Sequence, residues 1–316
     1  MDVLKYIYKI NQAYLLLFFL MGCSAQEIVE NKLAADAYNQ GRYLTAITYC
    51  NEALNKNPDN YFLLMIRGKS NLKLENYSES INDFSLCINL NDNYEPRYYR
   101  ARAFLESGKL EDCSKDLLQA LKFDPQNEKA LFDYAYAQTL LEDYDSAIEA
   151  YKKVIEIDSL NSNAYVNIGN LLGRIGNSVS SIESFTKAIS INPNDALAYF
   201  NRATEKLIVN DKQGAIEDLS VCIKIDSTNI NTYFLLTETM LELKYFDNAI
   251  KILDKVISLD KNNPKAYYLR GKSKLETKMR DDACSDLRKA GELGYYSAYE
   301  LITKNCIKKE KKKSKK

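Results

Sequence analysis

The chain has 316 residues, 46% apolar and 27% charged, with 43 basic and 43 acidic side chains and a formal net charge of zero. That balance excludes a global electrostatic pull toward nucleic acid or anionic surfaces, and the absence of His removes the commonest general base and metal ligand. No Cys pair stands at metal spacing, no Gly-rich loop could cradle a phosphate, and no Ser or Cys has a His to activate it, so neither a cofactor nor an enzymatic activity is expected.

The first predicted element is short and apolar. Lys5 and Lys9 precede the run Ala13-Tyr-Leu-Leu-Leu-Phe-Phe-Leu-Met21. Its nine residues are too few to span a bilayer, which needs about 20. A basic start followed by a run of this length predicts a secretory signal over 1–22. The end, Leu20-Met21-Gly22-Cys23, resembles the lipobox of bacterial lipoproteins. The resemblance implies cleavage before Cys23, lipidation of Cys23, and a lipid-anchored protein of the bacterial cell envelope, at the outer membrane on a face left open. An uncleaved anchor or a buried helix is the alternative reading of the run.

From Glu27 onward the chain repeats itself. Three columns of small residues recur at a step of 34, shortened once to 33: Ala34, Gly68, Ala101, Ala135, Gly169, Ala203, Thr237, Gly271; then Ala46, Ser80, Cys113, Ala147, Ser181, Ala215, Ala249, Ala283; then Ala53, Cys87, Ala120, Val154, Ala188, Cys222, Val256, Ala290. A period of this size marks a stacked array of helical hairpins, in which each hairpin buries its apolar face only against its neighbours. Eight units follow: 27–60, 61–93, 94–127, 128–161, 162–195, 196–229, 230–263 and 264–293. Turn sequences such as Asn57-Pro58-Asp59-Asn60 and Asn192-Pro193-Asn194-Asp195 close the units, and all five prolines fall at unit boundaries or in a first helical turn.

These residues resemble the tetratricopeptide repeat (TPR), most closely over Ser162–Asp195, with Tyr165, Gly169, Ala188 and Pro193 in register. The resemblance implies an all-α, right-handed superhelix whose first helices line a concave groove for peptides or partner helices. It also implies a non-catalytic scaffold with a protein or peptide partner. An assembly factor for outer-membrane barrels, pili or a secretion complex is the alternative function.

Within the repeat, Arg67, Arg100, Arg202 and Arg270 stand immediately before the small residue, and sixteen residues later stand Asp83, Asp116, Asp218 and Asp286. Units with Leu33, Tyr134, Ile168 or Leu236 at the Arg slot carry Tyr49, Ala150, Ser184 or Ile252 at the Asp slot. The joint presence and absence predicts structural ion pairs between the two helices of a unit.

Two columns are candidates for partner binding. Tyr98, Phe132, Phe200, Phe234 and Tyr268, completed by Met65 and Val166, form a stripe that the TPR resemblance turns toward the groove; an exposed stripe marks a partner surface. Packing between neighbouring first helices is the competing reading. Asp133, Asn167 and Asn201 match the column that, in the superhelix of O-GlcNAc transferase, carries asparagines bonding a threaded peptide. A carboxamide both donates and accepts, so it can hold extended chain without reading its side chains. The dicarboxylate clamp of chaperone-binding TPR domains needs Lys and Asn across three units, and that run is absent.

The last elements are a helix over 296–306, expected to cap the open end of the array, and a basic, disordered tail over 307–316. Antiparallel packing of the cap on the preceding helix would bring Cys306 beside Cys284, so a disulfide is expected there in an exported protein. Cys50, Cys87, Cys113 and Cys222 fall in core columns and read as buried thiols.

Overall fold

The computed structural model describes residues 26–307, so Cys23 with its apolar run, and the lysine tail, lie outside the described residues. These hold 17 helices and no strand. Packing divides the chain into two units, Met1–Ser159 and Leu160–Lys316. The first contains the hairpins α1 (26–39) with α2 (Tyr43–Leu54), α3 (Tyr61–Lys73) with α4 (Tyr77–Leu90), α5 (Tyr94–Glu106) with α6 (Leu110–Phe123), and α7 (Glu128–Leu140) with α8 (Tyr144–Ile157). The second contains α9 (Ser162–Arg174) with α10 (Ser178–Ile191), α11 (Ala196–Ile208) with α12 (Lys212–Ile225), α13 (Ile230–Glu242) with α14 (Phe246–Leu259), and α15 (Pro264–Glu276) with α16 (Arg280–Glu292). A final helix, α17 (Ala298–Asn305), packs on α16.

Each hairpin closes on a small residue of its first helix and a large one of its second. Gly68 faces Phe84 and Gly169 faces Phe185, so closely that a Cβ on either glycine would lie 2.8 Å from the ring. In both hairpins the second small column is Ser, and its hydroxyl donates to the carbonyl of that glycine: Ser80 to Gly68 at 2.9 Å, Ser181 to Gly169 at 2.7 Å. Glycine costs a helix about 0.5–1 kcal/mol relative to alanine. Here burial of a whole phenyl ring offsets that cost.

Two turn chemistries alternate along the chain. Between hairpins, Asn60, Asn93, Asn127, Asn161, Asp195, Asn229 and Asn263 each cap the next first helix, the side-chain oxygen accepting a backbone N–H. Within hairpins, the second residue after each first helix is left-handed: Gly41, Glu75, Gly108, Glu142, Gly176, Asn210, Lys244 and Lys278, with φ between 61° and 81°. The next amide then bonds back five residues, as from Asn76 to Asn71 O at 2.9 Å and from Tyr245 to Met240 O at 2.8 Å, satisfying a carbonyl that the helix end leaves free.

At the C-terminal end α17 starts at Ala298, two residues inside the expected span, because Tyr295 and Tyr296 form the turn that receives its first amides. Ala298 is fully buried, Tyr295 stacks on Tyr268 with ring centroids 4.5 Å apart, and Cys284 is bonded to Cys306 across a Cα separation of 5.7 Å. The opposite end has no such cover among the described residues: Ile28, Val29 and Leu44 are exposed.

Candidate functional site

The four arginines of the repeat are engaged in the framework. Nε and Nη2 of Arg202 grip both oxygens of Asp218 at 2.8 and 2.6 Å, and Arg67, Arg100 and Arg270 hold Asp83, Asp116 and Asp286 in the same fork. The third nitrogen, Nη1, reaches the second helix of the preceding hairpin: Asn51 from Arg67, Ser85 from Arg100, Thr186 from Arg202, Asp254 from Arg270. A relay thus ties three consecutive helices. Each carboxylate has a further partner, Asn71, Arg97, Lys206 or Lys274. Burial pushes the Asp83 carboxyl up in spite of the Arg67 fork.

The aromatic stripe is partly packed between helices, with some rings keeping an edge in solvent. Met65, Tyr98 and Val166 are at most 8% exposed, and Phe132, Phe200, Phe234 and Tyr268 are half-buried. Tyr98 stacks on Tyr94, Phe132 meets Tyr151 edge-on, and Phe234 lies under the ammonium of Lys265. The physical reason is spacing: these positions lie three residues before the small column where hairpins close, so the next helix covers them.

The polar column behaves differently in the two units. In the N-terminal unit, the Asp133 carboxylate is 3.8 Å from Arg102 and pairs with the Tyr98 hydroxyl; burial pushes both Asp133 and Tyr98 up, the tyrosine to about 12. Lys69 pairs with Glu95 there and lies over the Tyr99 ring. A cleft of about 260 Å³ between these groups is lined by Tyr38, Lys69, Lys73, Tyr99, Arg102 and Glu106, so its charges largely answer one another.

In the C-terminal unit the face is neutral and amide-rich. Asn167 is half-buried. The Asn201 amide donates to the Asn170 carbonyl oxygen at 2.9 Å, joining α11 to α9. Both line an open cleft of about 440 Å³ with Arg174, Phe200, Thr204 and Glu205. Asn170, Thr204 and Glu205 lie outside the predicted set. Their signal was present, since Asn170 stands three residues after Asn167 and therefore on the same helix face. No group of residues able to hold a metal ion occurs among the described residues.

Family models agree with this architecture. One described as a TPR repeat matches residues 136–176, and one described as a tetratricopeptide repeat matches 162–195 and 230–263. The chain carries tetratricopeptide repeats. This TPR chain is 30% identical over 133 residues to Protein STIP1 homolog of Dictyostelium discoideum, a match covering 40% of the chain and 24% of that relative. It spans about a quarter of the length of the curated relatives it matches. The C-terminal part of a TPR repeat-containing protein from Cytophaga hutchinsonii superposes with a TM-score of 0.65 at 16% identity, over 75% of this chain and 97% of that one. YrrB, a TPR protein with an unusual peptide-binding site, superposes with a TM-score of 0.52 at 17% identity, over 60% and 98%. At these identities the structural likeness is one of fold. The repeats, and the relatives that share them, support a protein-interaction scaffold.

Proposed function

We propose that this scaffold holds an extended segment of a protein partner along α9 and α11, while a lipid on Cys23 fixes it to the outer membrane of a bacterial envelope. The observation that carries the binding half is the bonded amide pair Asn170–Asn201 on an open cleft. Asn170 retains both amide hydrogens for a carbonyl of the partner, and Asn201 retains its carbonyl oxygen for an N–H. Such contacts fit peptide groups of any sequence. The half-buried ring of Phe200 supplies apolar contact beside them.

The anchoring half rests on the run Ala13–Met21 and its Gly22-Cys23 end. The Cys284–Cys306 bond favours the same reading, because such bonds persist in oxidising compartments. No described helix is long and apolar enough to cross a membrane.

Two experiments test the halves separately. A photo-crosslinking residue at position 201 should trap a membrane-associated partner, and one at exposed Glu217 on α12 should not. Equal trapping from both positions would remove the cleft from consideration. Cys23→Ser should release the chain from the membrane fraction. Retention, with residues 1–22 still attached, would establish an uncleaved anchor instead.

A further inference from the structure

Two neighbouring hairpins, α9–α10 and α11–α12, each depart from the repeat once in their first helix, and the two departures touch. Late in the first helices runs a column that is mostly leucine: Leu72, Leu105, Leu207, Leu241 and Leu275, with Thr139 in α7. At this position α9 has Gly173, one residue before its end. A second column is small and buried in five first helices, at Ser70, Ala103, Ala137, Thr239 and Ser273, none more than 3% exposed, while α1 has Asp36 and α9 has Leu171 there. At that position α11 has Glu205. The Glu205 carboxylate lies against Gly173, in the space a Cβ there would occupy. Glycine late in an exposed helical turn has no local advantage over alanine. A Cβ at Gly173 would displace the far end of the Glu205 side chain from its present place.

That carboxylate is not answered from within the chain. Glu205 is half-buried and lines the cleft, and its Oε2, shielded by the side chains around it, has no hydrogen-bond partner. Asp133 also has such an oxygen, but Arg102 stands 3.8 Å from it, whereas no cation of the described residues is within ion-pair distance of Glu205. Arg174, exposed on the rim of the same cleft, forms no ion pair among the described residues. A carboxylate oxygen withdrawn from water without a donor costs free energy that a donor from outside would recover.

We propose that Glu205 is a cation subsite of the cleft, receiving the protonated side chain of a lysine or arginine from the bound segment. This deepens the proposed function and rests on its peptide-holding cleft. The bonded amides of Asn170 and Asn201 would align the main chain, and the stem of the basic side chain would run along the Phe200 ring toward the carboxylate. The amides do not read side chains; Glu205 would give the cleft its selectivity.

The experiment pans a phage-displayed library of random decapeptides against the full chain, then measures synthetic peptides by calorimetry. The expected result is a basic residue at one fixed place in the selected peptides. Replacing it by norleucine, which keeps the four-carbon stem and drops the ammonium, should weaken binding about tenfold or more, as for a charge-assisted hydrogen bond. Against Glu205→Gln the two peptides should bind equally, with the chain melting no lower than the parent. Arg174→Ala should keep the preference. Peptides that crosslink at position 201 but lack a fixed basic residue would overturn the subsite and leave the cleft standing. So would a norleucine penalty undiminished in Glu205→Gln, or stability coupling between Arg174→Ala and Glu205→Gln, which would assign the carboxylate to Arg174. Failure to select any peptide would overturn the cleft reading itself, and the subsite with it.

Discussion

The hairpins α11–α12 and α13–α14 are neighbours in one unit and identical in helix length, 13 and 14 residues each. One is tied by Arg202 and Asp218, whose side chains are 14% and 5% exposed. The other has Leu236, fully buried, and Ile252, half-buried, at the same two places. The backbone is therefore indifferent to whether the contact is ionic or apolar. What it does not tolerate is half of either. A buried charge without its partner keeps the whole desolvation cost, whereas an apolar pair never incurs it. The two versions also differ in reach. Arg202 continues to Thr186 on the preceding hairpin, so the ionic version ties neighbours together.

Four predictions test that comparison. The largest effect is expected from Asp218→Ala, which strands Arg202 and Lys206 and should cost about 3–5 kcal/mol. Because arrays open locally, amide exchange in α11 and α12 is the appropriate measurement. A loss below about 1 kcal/mol would place the pair among surface bridges and dissolve the contrast.

The last hairpin, α15–α16, combines a relay with a disulfide. Cys284→Ser with Cys306→Ser should cost roughly 3 kcal/mol in the chain-entropy model. The loosening should be confined to α16 and α17, with the Arg270–Asp286 fork intact. Alkylation of both cysteines without prior reduction would show that the bond is not formed in the native protein.

A smaller effect separates the two hairpins at their turns. Lys244, in the relay-free hairpin, sits at φ 62°, as does Asn210 in its neighbour. Lys244→Gly should stabilise by about 1 kcal/mol, because only glycine adopts that conformation freely. Asn210→Gly should gain less, since asparagine visits the region more readily. Equal gains, read from denaturation midpoints, would point to a cause other than backbone strain.

The smallest change is expected from the most drastic replacement. Arg202→Leu with Asp218→Ile converts the ionic contact into the apolar one and should shift stability by no more than about 1 kcal/mol. A double variant as unstable as Asp218→Ala would mean that the relay, and not merely contact at these positions, is required.

The Arg–Asp pairing was legible in the sequence because it is written twice over, in four pairs present together and four absent together. The bond onward to the preceding hairpin was not, because its acceptors are Asn51, Ser85, Thr186 and Asp254 and share no residue type. How far the aromatic stripe is covered was not legible for a related reason. Periodicity identifies a helix face, but not how closely the neighbouring helix approaches it, and Tyr98 is covered while Phe132 keeps an edge in solvent. Gly173 and Glu205 could have been found by aligning the units column by column. Each is odd alone, and only the structure shows that they touch.

The sequence by itself determined that the chain is an all-α array of repeated helical hairpins, because this follows from short-range patterns: apolar spacing, small residues, Asx caps and prolines, recurring at one period. The tertiary structure decided which polar groups are satisfied and which are left over. That outcome depends on distances across helices 16, 32 or more residues apart in the chain, such as Arg202 to Asp218 or Gly173 to Glu205, and no local pattern encodes them.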